Sequence, residues 1–183
     1  MITILSGTNR NGSNTRHVAK LAERELKKKG VETQFLDLTL LPRDLFTPEH
    51  YFAAPASFAP FQKMMTATDG ILTVVPEYNG SFPGALKYFI DMLKFPESLN
   101  SMPAAFIGVA AGNYGALRAI EQLELIYHYR GAHIFNKFVL FPKVEEKLNK
   151  EKTEITDEFT KKLFDGLIAA FPDFCASLKK KGN

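Results

Sequence analysis

Residues 71–93 read ILTVVPEYNGSFPGALKYFIDML, and the order of residue types in this stretch decides the fold class. Ile71, Leu72, Thr73, Val74 and Val75 form an apolar, largely β-branched run, which predicts a strand covered on both faces. Pro76 ends the run, because proline has no N–H to donate to a sheet ladder. Glu77, Tyr78, Asn79, Gly80 and Ser81 follow as a polar loop. Phe82-Pro83-Gly84 then leads into a helix with Leu86, Phe89, Ile90 and Leu93 on one face. Strand, polar loop and helix make half of a βαβ unit. In open α/β sheets ligands bind beyond the carboxyl ends of the strands, where such a loop lies. Asn-Gly and Pro-Gly are also ordinary turn formers, so the loop by itself is equally a plain connection.

The same alternation extends in both directions. Residues 2–5 predict a first strand, and residues 6–15 a loop of small, hydroxyl and amide side chains with one arginine. Ser13 or Asn14 is placed to cap a helix carrying Val18, Leu21, Ala22 and Leu26 at helical spacing, with Lys27-Lys28-Lys29 and Gly30 at its end. Residues 31–38 predict a second strand. The next 20 or so residues, through Pro42, Pro48, Pro55 and Pro60, have no period and predict a long loop with one helical turn.

Residues 61–68 predict a helix. Beyond the central stretch come a fourth strand over 104–110, a glycine-containing loop over 111–115, and a helix with Leu117, Ile120, Leu123, Glu124 and Tyr127. A fifth strand over 134–141 is bounded by Pro142. A charged link over 143–152 precedes a last amphipathic helix with Ile155, Phe159, Leu163, Leu167 and Ile168. Strand and helix alternate five times without a repeat or a break. This predicts one domain over residues 1–183, an α/β doubly wound five-stranded parallel sheet of flavodoxin-like order 2-1-3-4-5, with helices on both faces.

Composition narrows the setting. Of the 183 residues 45% are hydrophobic and 23% charged, the balance of a globular domain long enough to bury a core. The formal net charge of +3 is too slight for a nucleic-acid footprint, and Lys179-Lys180-Lys181 reads as a solvated tail. The lone Cys175 excludes an internal disulfide and a cysteine-based zinc site, and its neighbours Phe171, Phe174 and Leu178 mark it as a small apolar residue. Nothing suggests a metal site. The N-terminus lacks the charged start of a signal peptide, and no run approaches the ~20 apolar residues of a membrane span, so a cytoplasmic protein is expected.

In this topology the loops 6–15, 76–84 and 111–115 leave the sheet at one end, and the first two flank the switch point. The first loop has the features a phosphate requires: Arg10, the hydroxyls of Thr8, Ser13 and Thr15, and N–H groups at a helix start. It matches neither the Gly-x-Gly-x-x-Gly nor the Walker pattern, which weighs against adenine dinucleotides and ATP in this loop.

Gly7-Thr8-Asn9-Arg10 with Ser13-Asn14-Thr15, then Pro76-Glu77-Tyr78-Asn79-Gly80-Ser81 and Pro83-Gly84-Ala85-Leu86-Lys87 with Asp91, resemble the NAD(P)H-dependent FMN reductase family over roughly the first 140 residues. Its members are flavodoxin-like quinone, azo-compound, flavin or chromate reductases. The resemblance implies a bound FMN, with Thr8, Arg10, Ser13, Asn14 and Thr15 on its phosphate. Pro76, Glu77, Tyr78, Asn79 and Gly80 would line the isoalloxazine ring, largely through backbone, and Gly112 and its neighbours would close the ring's other edge. It further implies NADH or NADPH as hydride donor, a small oxidised acceptor (quinone, azo compound, free flavin or metal oxyanion), and a homodimer or dimer of dimers. No catalytic side chain is expected, because the hard chemistry belongs to the cofactor. His17, His50, His128 and His133 are scattered and read as surface or packing residues. A flavodoxin-type electron carrier and a flavin-free binding or scaffold protein of the same fold are the alternatives. Oxidation of NAD(P)H separates the first from an enzyme, and a visible spectrum with added FMN the second.

Overall fold

The computed structural model describes residues 1–179. Its first strand, β1 (Ile2–Ser6), lies between β2 (Thr33–Asp37) and β3 (Ile71–Pro76), and β3 pairs in turn with β4 (Pro103–Val109). Every pairing is parallel, and the order 2-1-3-4-5 is the expected one. β1, β3 and β4 are buried at every position, as apolar runs without alternation require of strands covered on both faces.

Two helices cover one face and three the other. Helix α1 (Asn14–Lys28) and the last helix, α5 (Glu158–Lys179), bury Val18, Leu26, Phe164 and Phe171 against Ile4, Leu72, Val74 and Ile107. Helices α2 (Ala59–Thr66), α3 (Gly84–Met92) and α4 (Leu117–Tyr129) bury Met65, Phe89 and Leu123 against Leu5, Val75 and Phe106. Adjacent strand residues such as Ile4 and Leu5 thus serve opposite cores, the period of two inherent in a pleated strand.

Three details differ from the sequence reading. The fifth strand is split into β5 (His133–Ile134) and β6 (Val139–Phe141), both paired with β4. Two more residues separate Ile134 from Val139 than separate their partners Ala104 and Ile107, so the chain bulges out between them. Phe135 is drawn onto Phe171 and Phe174 of α5, while Asn136, Lys137 and Phe138 are exposed. The proline-containing segment holds three one-turn 3-10 helices, Arg43–Phe46, Pro48–His50 and Ala56–Phe58, instead of one helical turn, because Pro42, Pro48 and Pro55 each restart a local turn, and a further one, Leu38–Leu40, precedes them behind Asp37. Lys179 belongs to α5, where it pairs with Asp69 at 2.7 Å, whereas Lys180 and Lys181 lie outside the described residues.

Cys175 is buried as expected, and burial first, then the nearby Asp69 carboxylate, push its thiol up to about 12. Among the described residues no helix is long and apolar enough to cross a membrane.

Candidate functional site

Because β1, β3 and β4 run in parallel, their carboxyl ends deliver three loops to one end of the sheet. The first two are drawn together at Gly7. Its N–H donates to the Val74 carbonyl at 2.8 Å, and a β-carbon at this position would lie 2.8 Å from the same oxygen. Only a residue without one lets β1 run this close to β3.

The loop then enters α1, whose N-cap is Ser13, its Oγ accepting from the Arg16 N–H at 3.2 Å. The N–H groups of Asn14 and Thr15 precede the first intrahelical bonds, which gives this end of the helix its affinity for anions.

The loop after β3 is a two-residue hairpin. Tyr78 N–H donates to Ser81 O at 2.7 Å and Ser81 N–H to Tyr78 O at 3.1 Å, with Asn79 and Gly80 between them at φ 53° and 76°. Asn-Gly suits this mirror-image turn because both residues tolerate positive φ. From α4, Gln122 accepts from Ser81 Oγ at 2.6 Å and donates to Gly80 O at 3.1 Å, which fixes the hairpin tip. At its base, Thr8 Oγ1 and Tyr78 Oη lie 2.9 Å apart and share a hydrogen bond that joins the first loop to the second.

A cleft of about 350 Å³ opens between these loops. Arg10, Ser13, Asn14, Thr15, Pro76, Glu77 and Tyr78, all singled out from sequence, line it together. Thr8, Asn79, Gly80 and Gly112 do not. Thr8 is fully buried behind the lining, with its oxygen bonded to Tyr78 and to the Arg10 N–H. Asn79 and Gly80 form the hairpin tip, and Gly112 is an exposed residue whose carbonyl accepts from the Lys143 N–H at 3.0 Å. Val109, Ala110 and Ala111 supply the wall from β4 in its place.

Val144, Glu145 and Lys152 complete the cleft. Their segment reads from sequence as a charged link, and no residue pattern marks it. Lys152 Nζ donates to Asn14 Oδ1 at 2.7 Å, and Asn14 Nδ2 donates to Glu145 Oε1 at 2.6 Å. His17 lies close by on α1, held below its ordinary pKa by burial first and then by the charges of Lys152 and Arg16.

The lining offers anion donors on one side and a mixed apolar and polar wall on the other. Glu77 Oε2 is buried without a hydrogen-bond partner among the described residues, while Oε1 lies 3.6 Å from Arg118 Nη1. An orphaned acceptor beside an anion-binding helix start fits a ligand carrying a phosphate at one end and N–H or O–H donors elsewhere, as FMN does.

The chain is similar in sequence and fold to known proteins. The chain is 31% identical over 111 residues, 59% of each protein, to an NAD(P)H-dependent FMN reductase of Pseudomonas aeruginosa. It is 29% identical over 184 residues to an NAD(P)H:quinone oxidoreductase of Solanum tuberosum, covering 97% of this chain and 93% of that one. The structure of FerB, a flavoenzyme NAD(P)H:(acceptor) oxidoreductase from Paracoccus denitrificans, superposes with a TM-score of 0.79 at 25% identity over 96% of this chain and 97% of FerB. The sequence profile of the NADPH-dependent FMN reductases matches residues 1–146, and the protein is a member of that family of flavin-dependent oxidoreductases.

Proposed function

We propose that the cleft between the β1 and β3 loops holds FMN, with its phosphate on residues 10–15 and its ring against Pro76, Glu77 and Tyr78. The protein would use this cofactor to pass hydride from NADH or NADPH to a small oxidised acceptor, of which a quinone is the class its relatives' names favour. The observation that carries the reading is the convergence of Arg10, Ser13, Asn14 and Thr15 with the orphaned Glu77 oxygen in one cleft.

When bound, FMN supplies the redox chemistry through its ring. The chain's own residues position and select. Arg10 and the first N–H groups of α1 offer charge and directed donors to the phosphate. Ser13 holds the helix start in the geometry that presents those donors. The Thr8–Tyr78 bond sets the spacing between phosphate loop and ring loop, and Gln122 holds the hairpin against α4. Glu77 Oε2, buried and without a partner among the described residues, would accept a hydrogen bond from a donor on the ligand. No side chain is asked to serve as nucleophile or acid–base pair.

The exposed aromatic residues Tyr51 and Phe52 of the 3-10 segment, with Leu125 and Tyr129 of α4, support a homodimer, and a cytoplasmic setting accords with the lone buried cysteine. Sedimentation of the purified protein checks the first.

FMN differs from riboflavin by a phosphate of about −1.5 to −2 charges. Charge-assisted hydrogen bonds contribute roughly 1.5–3 kcal/mol each, so several such contacts amount to at least about a hundredfold in affinity. Calorimetric titration with both flavins, with the visible spectrum recorded alongside, is the test. FMN is expected to bind at least about a hundredfold more tightly than riboflavin and to be bleached by NAD(P)H. A protein that stays colourless with excess FMN, or that binds both flavins equally, overturns the reading.

A further inference from the structure

The lysine of the cleft comes from a segment beyond the part that matches the family profile, which stops at residue 146. After β6 the chain makes a small hairpin closed by the Leu148–Ile155 bridge, with Asn149 N–H donating to Glu154 O at 3.0 Å. Asn149 also braces the tip, its Oδ1 accepting from the N–H groups of Thr153 and Glu154 at 2.7 and 3.0 Å. Arg24 of α1 donates to Thr153 O at 2.9 Å and so ties the hairpin to that helix. Lys152 therefore stands on a braced support, and its ammonium is brought to the start of α1, 138 positions away from Asn14 in sequence.

What the ammonium meets there is informative. Glu145 Oε1 accepts from Asn14 Nδ2 at 2.6 Å and lies 3.4 Å from Lys152 Nζ. A carboxylate thus sits on an amide donor and an ammonium at the mouth of a helix N-terminus. These are the contacts an anionic ligand would make. Nothing in the fold requires the carboxylate there, since the Glu145 side chain is 65% exposed, whereas that of Lys152 is 29% exposed.

We propose that Lys152 is a phosphate-recognising residue of the FMN site and that Glu145 is an internal carboxylate competing for the same donors, to be displaced when the phosphate enters. The proposal rests on the FMN reading above. A dianionic phosphate gains Lys152 and the Asn14 amide, and in doing so it must push aside a like charge. Removing the cation and removing the competitor should therefore act in opposite directions on FMN, and neither should act on riboflavin, which has no phosphate.

The test is titration of the full-length protein, freed of flavin, with FMN and with riboflavin, for wild type, Lys152→Met and Glu145→Gln, at low and moderate salt. Lys152→Met is expected to weaken FMN about tenfold and to flatten its salt dependence, with riboflavin changed less than about twofold. Glu145→Gln is expected to tighten FMN about threefold or more, with riboflavin again unchanged. Loss of both flavins alike in Lys152→Met means that the lysine only supports the hairpin, and the inference fails. It fails as well if FMN binding is unchanged in Lys152→Met, or weakened in Glu145→Gln. A wild-type protein that does not prefer FMN to riboflavin is a different failure, since the phosphate reading itself then falls and takes this inference with it.

Discussion

Thr8 shows how a side chain changes role between sequence and structure. Its hydroxyl is the kind of donor a phosphate loop uses, yet its oxygen is fully buried and bonded to Tyr78 and to the Arg10 N–H. It acts as a tie between loops, and a carboxylate at this position would disturb the fold before it reached a ligand. Tyr78→Phe removes the tie without changing the volume. It is expected to destabilise the protein by about 1 kcal/mol, the usual net worth of one hydrogen bond, which urea unfolding measures. An unchanged midpoint would mean that the bond carries no stability. Gly7 has a spatial reason that its motif does not reveal: the missing β-carbon admits the Val74 carbonyl.

At the scale of elements, α1 is joined to the end of β2 by Arg16 and Asp37, with Nε and Oδ2 2.7 Å apart. Asp37 also caps the following 3-10 turn by accepting from Thr39 N–H and Oγ1 at 3.0 and 2.8 Å. Burial by itself would raise this carboxyl, but the hydrogen bonds from Arg16 and Thr39 outweigh it and hold Asp37 below the usual carboxylate range. A depressed folded-state value stabilises the charged form. That stability is fully present above the ordinary carboxylate pKa of about 3.9 and is lost as pH falls through the folded value. Asp37→Asn should accordingly be less stable than wild type by about 1–2 kcal/mol at pH 7, with half-exposed Arg16 tempering the figure. The gap should close as the pH is taken well below 4, and unfolding at a series of pH values follows it. A gap that does not vary with pH would assign the effect to packing.

Elements also show where sequence reading stopped short. The helices of the apolar stretches were legible from their periodicity, and α1 with its Ser13 cap and α3 behind Pro83-Gly84 follow it closely. The split of the last strand was not. Asn136 and Lys137 interrupt its apolar residues, but the place where it leaves the sheet is set by Phe135 packing on α5, an element that lies far along the chain.

For the whole molecule, Arg130 joins the end of α4 to the end of α3. It follows α4, is nearly buried, and donates to the carbonyls of Ile90, Leu93 and Lys94 at 3.0–3.2 Å, closing the carboxyl end of α3. A cation here complements the helix dipole and gives Leu93 O its donor, while Ile90 O and Lys94 O also accept from the N–H groups of Leu93 and Ser98 at 3.2 and 3.3 Å. Arg130→Met keeps much of the apolar stem and loses the donors. It is expected to cost about 1–3 kcal/mol, since the Leu93 carbonyl then loses its donor, and thermal unfolding is the measurement. A loss under about 0.5 kcal/mol would show that water takes over that carbonyl.

Sequence by itself determined the α/β class, the strand order, the three loops at one sheet end and half of the cleft's lining. These follow from local causes: apolar runs, helical periods, caps and turns, together with the few ways a parallel sheet can be wound. Tertiary structure alone decided which of the loop residues face the cleft, that Thr8 ties loops together, and that Glu145 and Lys152 reach the start of α1. A charged residue on a surface hairpin carries no periodic signal, and its partner depends on how far the chain travels before it returns. Lys152 and Asn14 become neighbours only when β6 has paired with β4 and the hairpin has docked on α1.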